Sequence, residues 1–322
     1  MSTTIGTGEQ AADPRLEELF AAGERASVKP LWPIFADVNP RFPKPKAVPH
    51  LWSMREMRPL LHEAAALVGL ERAERRVWVL SNPALRPPYT TDTLYGGLQI
   101  IKPGEVARCH RHTAAALRFI VEGHDAYTAV AGEKIVMRTG DLVVTPSWDL
   151  HDHGNESDAP MIWLDGLDLP VFEALPTMFT EFYHQPRHAA EPPATRSDLH
   201  FPWAEMQARL DAAGGDHALL RYHRRGGNEI GHIMGAAAER IAAGATSPRV
   251  QETVSAVYHV VAGSGVSQVG DIELRWETGD TFAVPSWHAL QHRADASTSA
   301  YLFRYDDRPM IEALGLYRSA AT

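Results

Sequence analysis

The stretch Gly140-Asp-Leu-Val-Val-Thr-Pro-Ser-Trp148 returns far downstream as Gly279-Asp-Thr-Phe-Ala-Val-Pro-Ser-Trp287. Each copy follows a β-branched and aromatic run closed by glycine, Leu117-Arg-Phe-Ile-Val-Glu-Gly123 in the first and Val257-Tyr-His-Val-Val-Ala-Gly263 in the second. Such runs, bounded by turn residues, predict strands joined in hairpins. Copies this far apart exclude a solenoid, whose period is roughly 20–50 residues, and predict a duplicated domain. A chain of 322 residues is long enough for two cores.

Composition narrows the class. The chain is 44% apolar and 22% charged, the balance of a globular protein. A net charge of −9 without Lys/Arg clusters offers no surface for nucleic acid. One cysteine rules out a disulfide framework within the chain and suits a reducing compartment. Met1 to Asp13 is polar with no apolar signal core, and no run nears the ~18 apolar residues of a membrane span. The expected setting is cytoplasmic, with no membrane partner.

Outside the repeats the chain reads as cover and connection. Pro14, Leu16, Leu19 and Phe20 predict an amphipathic helix over Asp13 to Ala26. Ser53-Met-Arg-Glu56 has the capping-box pattern and predicts a second helix to about Leu70. Prolines 30, 33, 40, 43, 45 and 49 mark an extended arm between them, wrapping its own barrel or a neighbour's. A Pro-rich stretch from Gln185 to Pro202 predicts a linker, and Trp203 to Ala213 a linking helix.

The chemistry gathers around the first copy. In Gly104-Glu-Val-Ala-Arg-Cys-His110-Arg-His112, the two histidines lie two apart and share one face of a strand, which turns Cys109 away. After Pro146, the segment His151-Asp-His153-Gly-Asn155 supplies another imidazole from a distant strand. His110, His112 and His151 are the candidate metal ligands. Three imidazoles without thiolate suit Fe(II), Zn, Mn, Ni or Cu.

Gly, five residues and His-x-His, then Gly, five residues and Pro, then His-x-x-x-Asn, resembles the two-part signature of the cupin family. Trp148 stands where many cupins have glycine, and Ala114 to Leu117 lack the usual acidic fourth ligand. In the second copy Val250 and Glu252 take the place of His-x-His, and Leu290 that of His151. His288 and His292 flank that place out of register. The second half is thus expected to carry no metal, to pack against the first and to help build an oligomer.

Ala73-Glu-Arg-Arg-Val77, Asn82-Pro83, His110-Arg-His-Thr113, Leu117 to Gly123, Thr145 to Trp148, His151 to Asn155 and Trp163-Leu-Asp-Gly166 together resemble the gentisate 1,2-dioxygenase group. That group includes salicylate and 1-hydroxy-2-naphthoate dioxygenases. The resemblance implies a mainly β bicupin, two antiparallel jelly-roll barrels with an N-terminal helical arm and linking helices. The expected division is an arm over residues 1–72, a catalytic barrel over 73–184, a linker and helix over 185–215, and a metal-free barrel over 216–322. It further implies one Fe(II) per chain, O2 as co-substrate and a homotetramer. The reaction implied is opening of an aromatic carboxylate between its carboxyl-bearing carbon and the hydroxyl- or amino-bearing neighbour.

Residue roles follow from the same resemblance. Arg118, a charge on an apolar strand, grips the substrate carboxylate; the alternative is a structural salt bridge with an internal acid. His153 is an acid/base or hydrogen-bond donor, or else a loop histidine capping backbone groups. Asp165 orients one of these two, or is a turn acid before Gly166. Tyr95, Gly97 and Gln99 alternate along one strand face and line the pocket, with Gly97 leaving room for a ring substituent. Arg76, or its neighbour Arg75, gives a second anionic contact. Ala114-Ala115 replaces a polar pair found in many gentisate enzymes, which keeps substituted salicylates and anthranilates, 5-nitro compounds included, beside gentisate as substrates. A non-oxidative isomerase or hydrolase with zinc or manganese, and a ligand-binding bicupin without catalysis, are the readings from other classes.

Overall fold

The computed structural model describes residues 13–193 and 196–320. The polar N-terminal stretch lies outside the described residues up to residue 12. Residues to Lys44 form a unit of their own. In it Pro14–Arg25 is the predicted helix, capped by Asp13, whose Oδ1 accepts from the Arg15 backbone N–H at 3.0 Å.

From Pro45 onward the chain forms two barrels of facing antiparallel sheets. In the first, a six-stranded sheet runs His200–Phe201, Leu142–Thr145, Ala116–Glu122, Met161–Leu167, Tyr95–Ile101 and Arg76–Val79. Its partner sheet runs Thr180–Phe182, Val106–His112, His151–Asn155, His124–Val130 and Glu133–Arg138. In the second barrel the six-stranded sheet runs His50–Trp52, Thr281–Val284, Ala256–Ala262, Ala300–Asp306, Gly235–Ile241 and His217–Arg221. It faces Ile272–Glu277, Ser264–Val269 and Leu290–Ala294. This is the mainly β double barrel that the repeat and the cupin resemblance predict. Among the described residues, no helix is long and apolar enough to cross a membrane.

Burial of both strand faces explains why the repeat runs are largely apolar. Leu117 and Phe119 point out of the first barrel and meet Val257, Phe303 and Tyr305 of the second in one shared core. Phe119 stacks on Phe303 with ring centroids 4.2 Å apart. Ile120, Met137 and Trp163 fill the first barrel's interior, and Tyr258, Phe282 and Trp276 that of the second. Each such buried side chain stabilises the fold by about 1.5–3 kcal/mol relative to exposure.

The repeated Gly-Asp turn has a further role. Asp141 accepts from the Arg138 and Trp203 backbone N–H groups, both at 3.1 Å. Asp280 does the same for Glu277 at 3.0 Å and Met54 at 2.9 Å. Each aspartate thus closes its own turn and caps a helix arriving from elsewhere, Trp203–Ala213 or Met54–Leu67. Glycine precedes it because φ is +87° at Gly140 and +95° at Gly279. A side chain there would also meet Trp203 or Met54 at 3.0 Å or less.

The two connecting segments therefore cross over. His50–Trp52 pairs with Thr281–Val284 of the second barrel, while the helix behind it packs on Arg76–Val79 and Tyr95–Ile101 of the first. His200–Phe201, within the stretch read as a Pro-rich linker, pairs with Leu142 and Val143 of the first barrel. Its helix packs on His217–Arg221 and Gly235–Ile241 of the second. The capping box at Ser53 does not form: its side chain makes no cap bond, the Glu56 N–H goes to the Ser53 carbonyl at 3.1 Å, and the buried Asp280 carboxylate takes the Met54 N–H instead. That helix ends at Leu67, short of the expected Leu70.

Candidate active site

A bulge brings the candidate metal ligands together. Val106–His112 pairs with His151–Asn155 as Ala107 opposite His153 and His110 opposite His151, so the chain slips between Ala107 and His110. Bulges bend a strand and re-aim side chains. Here the Arg108 carbonyl comes within 2.9 Å of His110 Nδ1. The bend after His112 turns the Ala114 carbonyl back to its Nδ1 at 2.7 Å. In the turn before His151 the Asp149 carbonyl lies 2.8 Å from Nδ1. That turn holds Trp148 at φ +69°, and Trp287 repeats it at +62°. This is the conformation for which glycine is the usual choice, and it explains the departure from the cupin pattern at Trp148 as a change of residue without a change of backbone.

Carbonyls only accept, so each of these Nδ1 atoms carries the proton and each Nε2 keeps its lone pair. The ligand atoms of His110, His112 and His151 all lie within 4.8 Å of one another. All three rings are buried, and burial pushes their pKa values down, His110 to about 3 with Arg75 adding repulsion. Neutral imidazoles with converging lone pairs fit a divalent metal. Among the described residues this is the one such cluster. Cys109, also buried, lies on the other face near Asp152, where burial raises its thiol to about 11.

His153 has the opposite tautomer. Its Nδ1 faces the Thr128 hydroxyl at 2.9 Å and Arg118 Nη1 at 3.3 Å. Guanidinium can only donate, so Nδ1 accepts and the proton sits on Nε2, which is buried without a partner. A ring that presents N–H is not a metal ligand.

Two guanidiniums stand beside these rings. Arg118 is buried, paired to Asp165 at 2.8 Å, bonded to Thr128 at 3.1 Å and placed 5.1 Å over the Trp163 ring. Trp163 Nε1 in turn donates to Asp165 Oδ2 at 3.0 Å. The internal salt bridge is therefore present, and it leaves Arg118 Nε buried with no partner. Arg75 brings Nη2 within 3.0 Å of His110 Nε2. Burial, and then Arg118, lower its pKa to about 10, so it stays charged at neutral pH. Two cations, Arg118 buried and Arg75 half-buried, share one carboxylate, Asp165. The site carries an excess of positive charge before any metal is counted, which an anion would offset.

The residue expected as the second anionic contact, Arg76, is not in this pocket. It is tied to Glu105 and to the Val68 carbonyl, under the helix Met54–Leu67. Alternation decides the matter: Arg76 and Trp78 face that helix, while Arg75 and Val77 face the barrel interior. Nearby Trp78, bonded to the Leu60 carbonyl on the same side, was the available clue. Thr128, which sets the His153 tautomer, carried no motif and escaped the sequence reading.

Tyr95 and Gln99 are buried on the same strand, and Gln99 Oε1 has no partner. A side chain at Gly97 would come within 2.6 Å of the Tyr95 hydroxyl and Val77 Cγ1. The missing side chain thus makes room for Tyr95 and Val77 rather than leaving a void for a ring substituent.

Comparison with known proteins agrees with this geometry. The Cupin_2 family, a cupin domain, matches residues 97–167. The chain is 36% identical to a gentisate 1,2-dioxygenase from Streptomyces sp, over 98% of both chains. It is 32% identical to a 5-aminosalicylate 1,2-dioxygenase from Comamonas sp, over 95% of this chain and 90% of that one. Among solved structures, a salicylate 1,2-dioxygenase from Pseudaminobacter salicylatoxidans superposes with a TM-score of 0.90 at 31% identity, covering 97% of this chain and 99% of the other.

Proposed function

Because this chain belongs to the gentisate and salicylate 1,2-dioxygenase family of ring-cleaving cupins, we propose that it opens a gentisate-like or substituted salicylate or anthranilate ring. The bond broken joins the carboxyl-bearing carbon to its hydroxyl- or amino-bearing neighbour, and both atoms of O2 enter the product. The observation that carries this reading is the pairing of three lone-pair imidazoles with two guanidiniums, one buried and one half-buried, that share one carboxylate.

His110, His112 and His151 would hold one Fe(II), which supplies the redox chemistry that lets singlet organic substrate react with O2. Their carbonyl partners keep the rings oriented and the lone pairs inward. Among the described residues no acidic ligand joins them, so the negative charge that balances the centre comes from the substrate. Arg118 is held by Asp165, Thr128 and Trp163 and meets the carboxylate through its unpartnered Nε edge. Arg75 shares a lone pair of His110 that a metal would take, and is then released to the same anion. His153 holds a proton at Nε2 and offers it to an oxygen or nitrogen of the bound acid. Asp165 acts as a positioning residue, since it touches Arg118 and Trp163.

Anaerobic purification with metal analysis tests this, followed by oxygen-electrode runs on gentisate, salicylate, 5-nitrosalicylate, anthranilate and 5-nitroanthranilate. One iron per chain and oxygen uptake with at least one acid is the expected result. No uptake across the panel by the iron-loaded protein would overturn it. Turnover of an acid without oxygen would favour the isomerase or hydrolase reading.

A further inference from the structure

The second barrel keeps a polar chamber at the place where the first holds its histidines. Strand registers match the two point by point. Val250 bridges Leu290 as His110 does His151, and Ser267 opposes His292 as Thr128 does His153. The metal ligands are gone, yet a cavity of about 400 Å³ remains, lined among others by Glu239, His292, Arg304 and Val250. His292, expected from sequence to be out of register, faces inward, because it lies two residues past Leu290 and shares its face.

Two features of this chamber point to a ligand. His292 is 2% exposed. Its Nδ1 lies 2.7 Å from the Ser267 hydroxyl, which already accepts from Trp276 Nε1 at 2.8 Å. The serine proton has its acceptor in that Nδ1, so His292 carries its own proton on Nε2, a buried atom with no hydrogen-bond partner. Opposite, 3.8 Å away, stands Oε2 of Glu239, a carboxylate 3% exposed that receives no arginine hydrogen bond. Its partners are His217 at 3.2 Å and the Tyr258 hydroxyl at 3.5 Å, with Arg304 Nη1 at 3.9 Å. Arg304 itself is spent on Asp306 and Tyr258.

We propose that this chamber is a second small-molecule site, for an uncharged hydroxyl compound. A hydroxyl accepts from His292 Nε2 and donates to Glu239, completing both groups at once. A carboxylic acid would face Glu239 as a like charge, so the chamber selects against the acids that the first barrel attracts. Apolar Val250, Leu219 and Leu290 receive the remainder of the molecule. The hydroxyl is phenolic or that of a polyol, and the two sources are separable by experiment.

The test is ligand-observed NMR and calorimetry on the full chain with phenol, myo-inositol and benzoate as probes. Binding of phenol or of inositol, weakened roughly tenfold or more by Glu239→Gln and abolished by Val250→Trp, which fills the chamber, is expected. The probe that binds names the source. Binding that survives both variants, or binding of benzoate alone, or of none of the three, overturns the proposal. Circular dichroism and a melting curve identify a misfolded Val250→Trp, in which case His292→Phe takes its place with the same expected loss.

Discussion

The two barrels share one backbone plan and differ in what they place at its centre. Where the first has His110, His112 and His151, the second has Val250, Glu252 and Leu290. Trp148 donates its backbone N–H to the carbonyl of His112 at 2.9 Å, and Trp287 donates to that of Glu252 at 2.7 Å. Arg118 pairs with Asp165 across strands, and at the same two positions Tyr258 faces Arg304, the cation having moved to the neighbouring strand. Both interiors stay polar. The lesson is that a barrel's turns and caps can be kept while its metal-site side chains are replaced and only the inner histidine–hydroxyl pair, His153–Thr128 and His292–Ser267, persists, because the two sets lie on different parts of each strand.

The largest contrast lies in the ligands. His151→Leu copies the residue of the second barrel. It should abolish metal binding and oxygen uptake while the chain still folds, as metal analysis, the electrode and circular dichroism would show. Retention of a full metal complement would remove His151 from the ligand set.

A smaller effect is expected for the buried cation. Arg118→Ala strands Asp165, a loss on the order of 3–5 kcal/mol for a broken buried pair, and should raise KM while metal content is kept. Tyr258→Phe, at the matching position, removes the hydrogen bonds to Arg304 and Glu239, about 1 kcal/mol each, and should leave KM alone. Equal KM values for Arg118→Ala and the parent would strip Arg118 of its carboxylate role.

Next come the caps. Asp141→Ala and Asp280→Ala each delete a helix cap and a turn closure, so each should cost about 1–2 kcal/mol in chemical denaturation. Similar losses are expected from both, and a neutral Asp280→Ala would break the symmetry of the crossed connections.

The subtlest comparison is one of pH. Asp168 and Asp307 directly follow the matching strands Met161–Leu167 and Ala300–Asp306, and burial raises both to about 7. A carboxyl held above its unfolded value binds its proton more tightly when folded. Its stabilisation is complete below about 3.8 and is lost as pH rises through about 7. Asp168→Asn and Asp307→Asn should each flatten the fall in melting temperature over that window. Similar changes are expected from both, since both carboxyls are raised to about 7. A profile unchanged in both variants would show that neither carboxyl titrates there.

Much of this was legible in the chain. The repeat predicted two barrels, because Gly-Asp turns and alternating runs are local signals that each copy carries in full. The histidine spacing predicted a shared face, since a strand has a period of two. The crossed connections were not legible: His50–Trp52 finds its partner strand more than two hundred positions away, and nothing local says so. Nor was the capping of Met54 by Asp280, at a helix start where Ser53 and Glu56 suggested a capping box that does not form.

The sequence by itself determined the double-barrel fold, the three histidines and their replacement by Val250, Glu252 and Leu290 in the second copy. Only the tertiary structure decided which arginine enters the pocket. Arg75 and Arg76 are adjacent and alike, and the strand's facing against Met54–Leu67 sends one to Glu105 and the other to His110. It also decided the tautomers. A histidine's proton follows the carbonyl or donor that the folded backbone sets beside it, and that placement makes His151 a lone pair and His153, two residues on, an N–H.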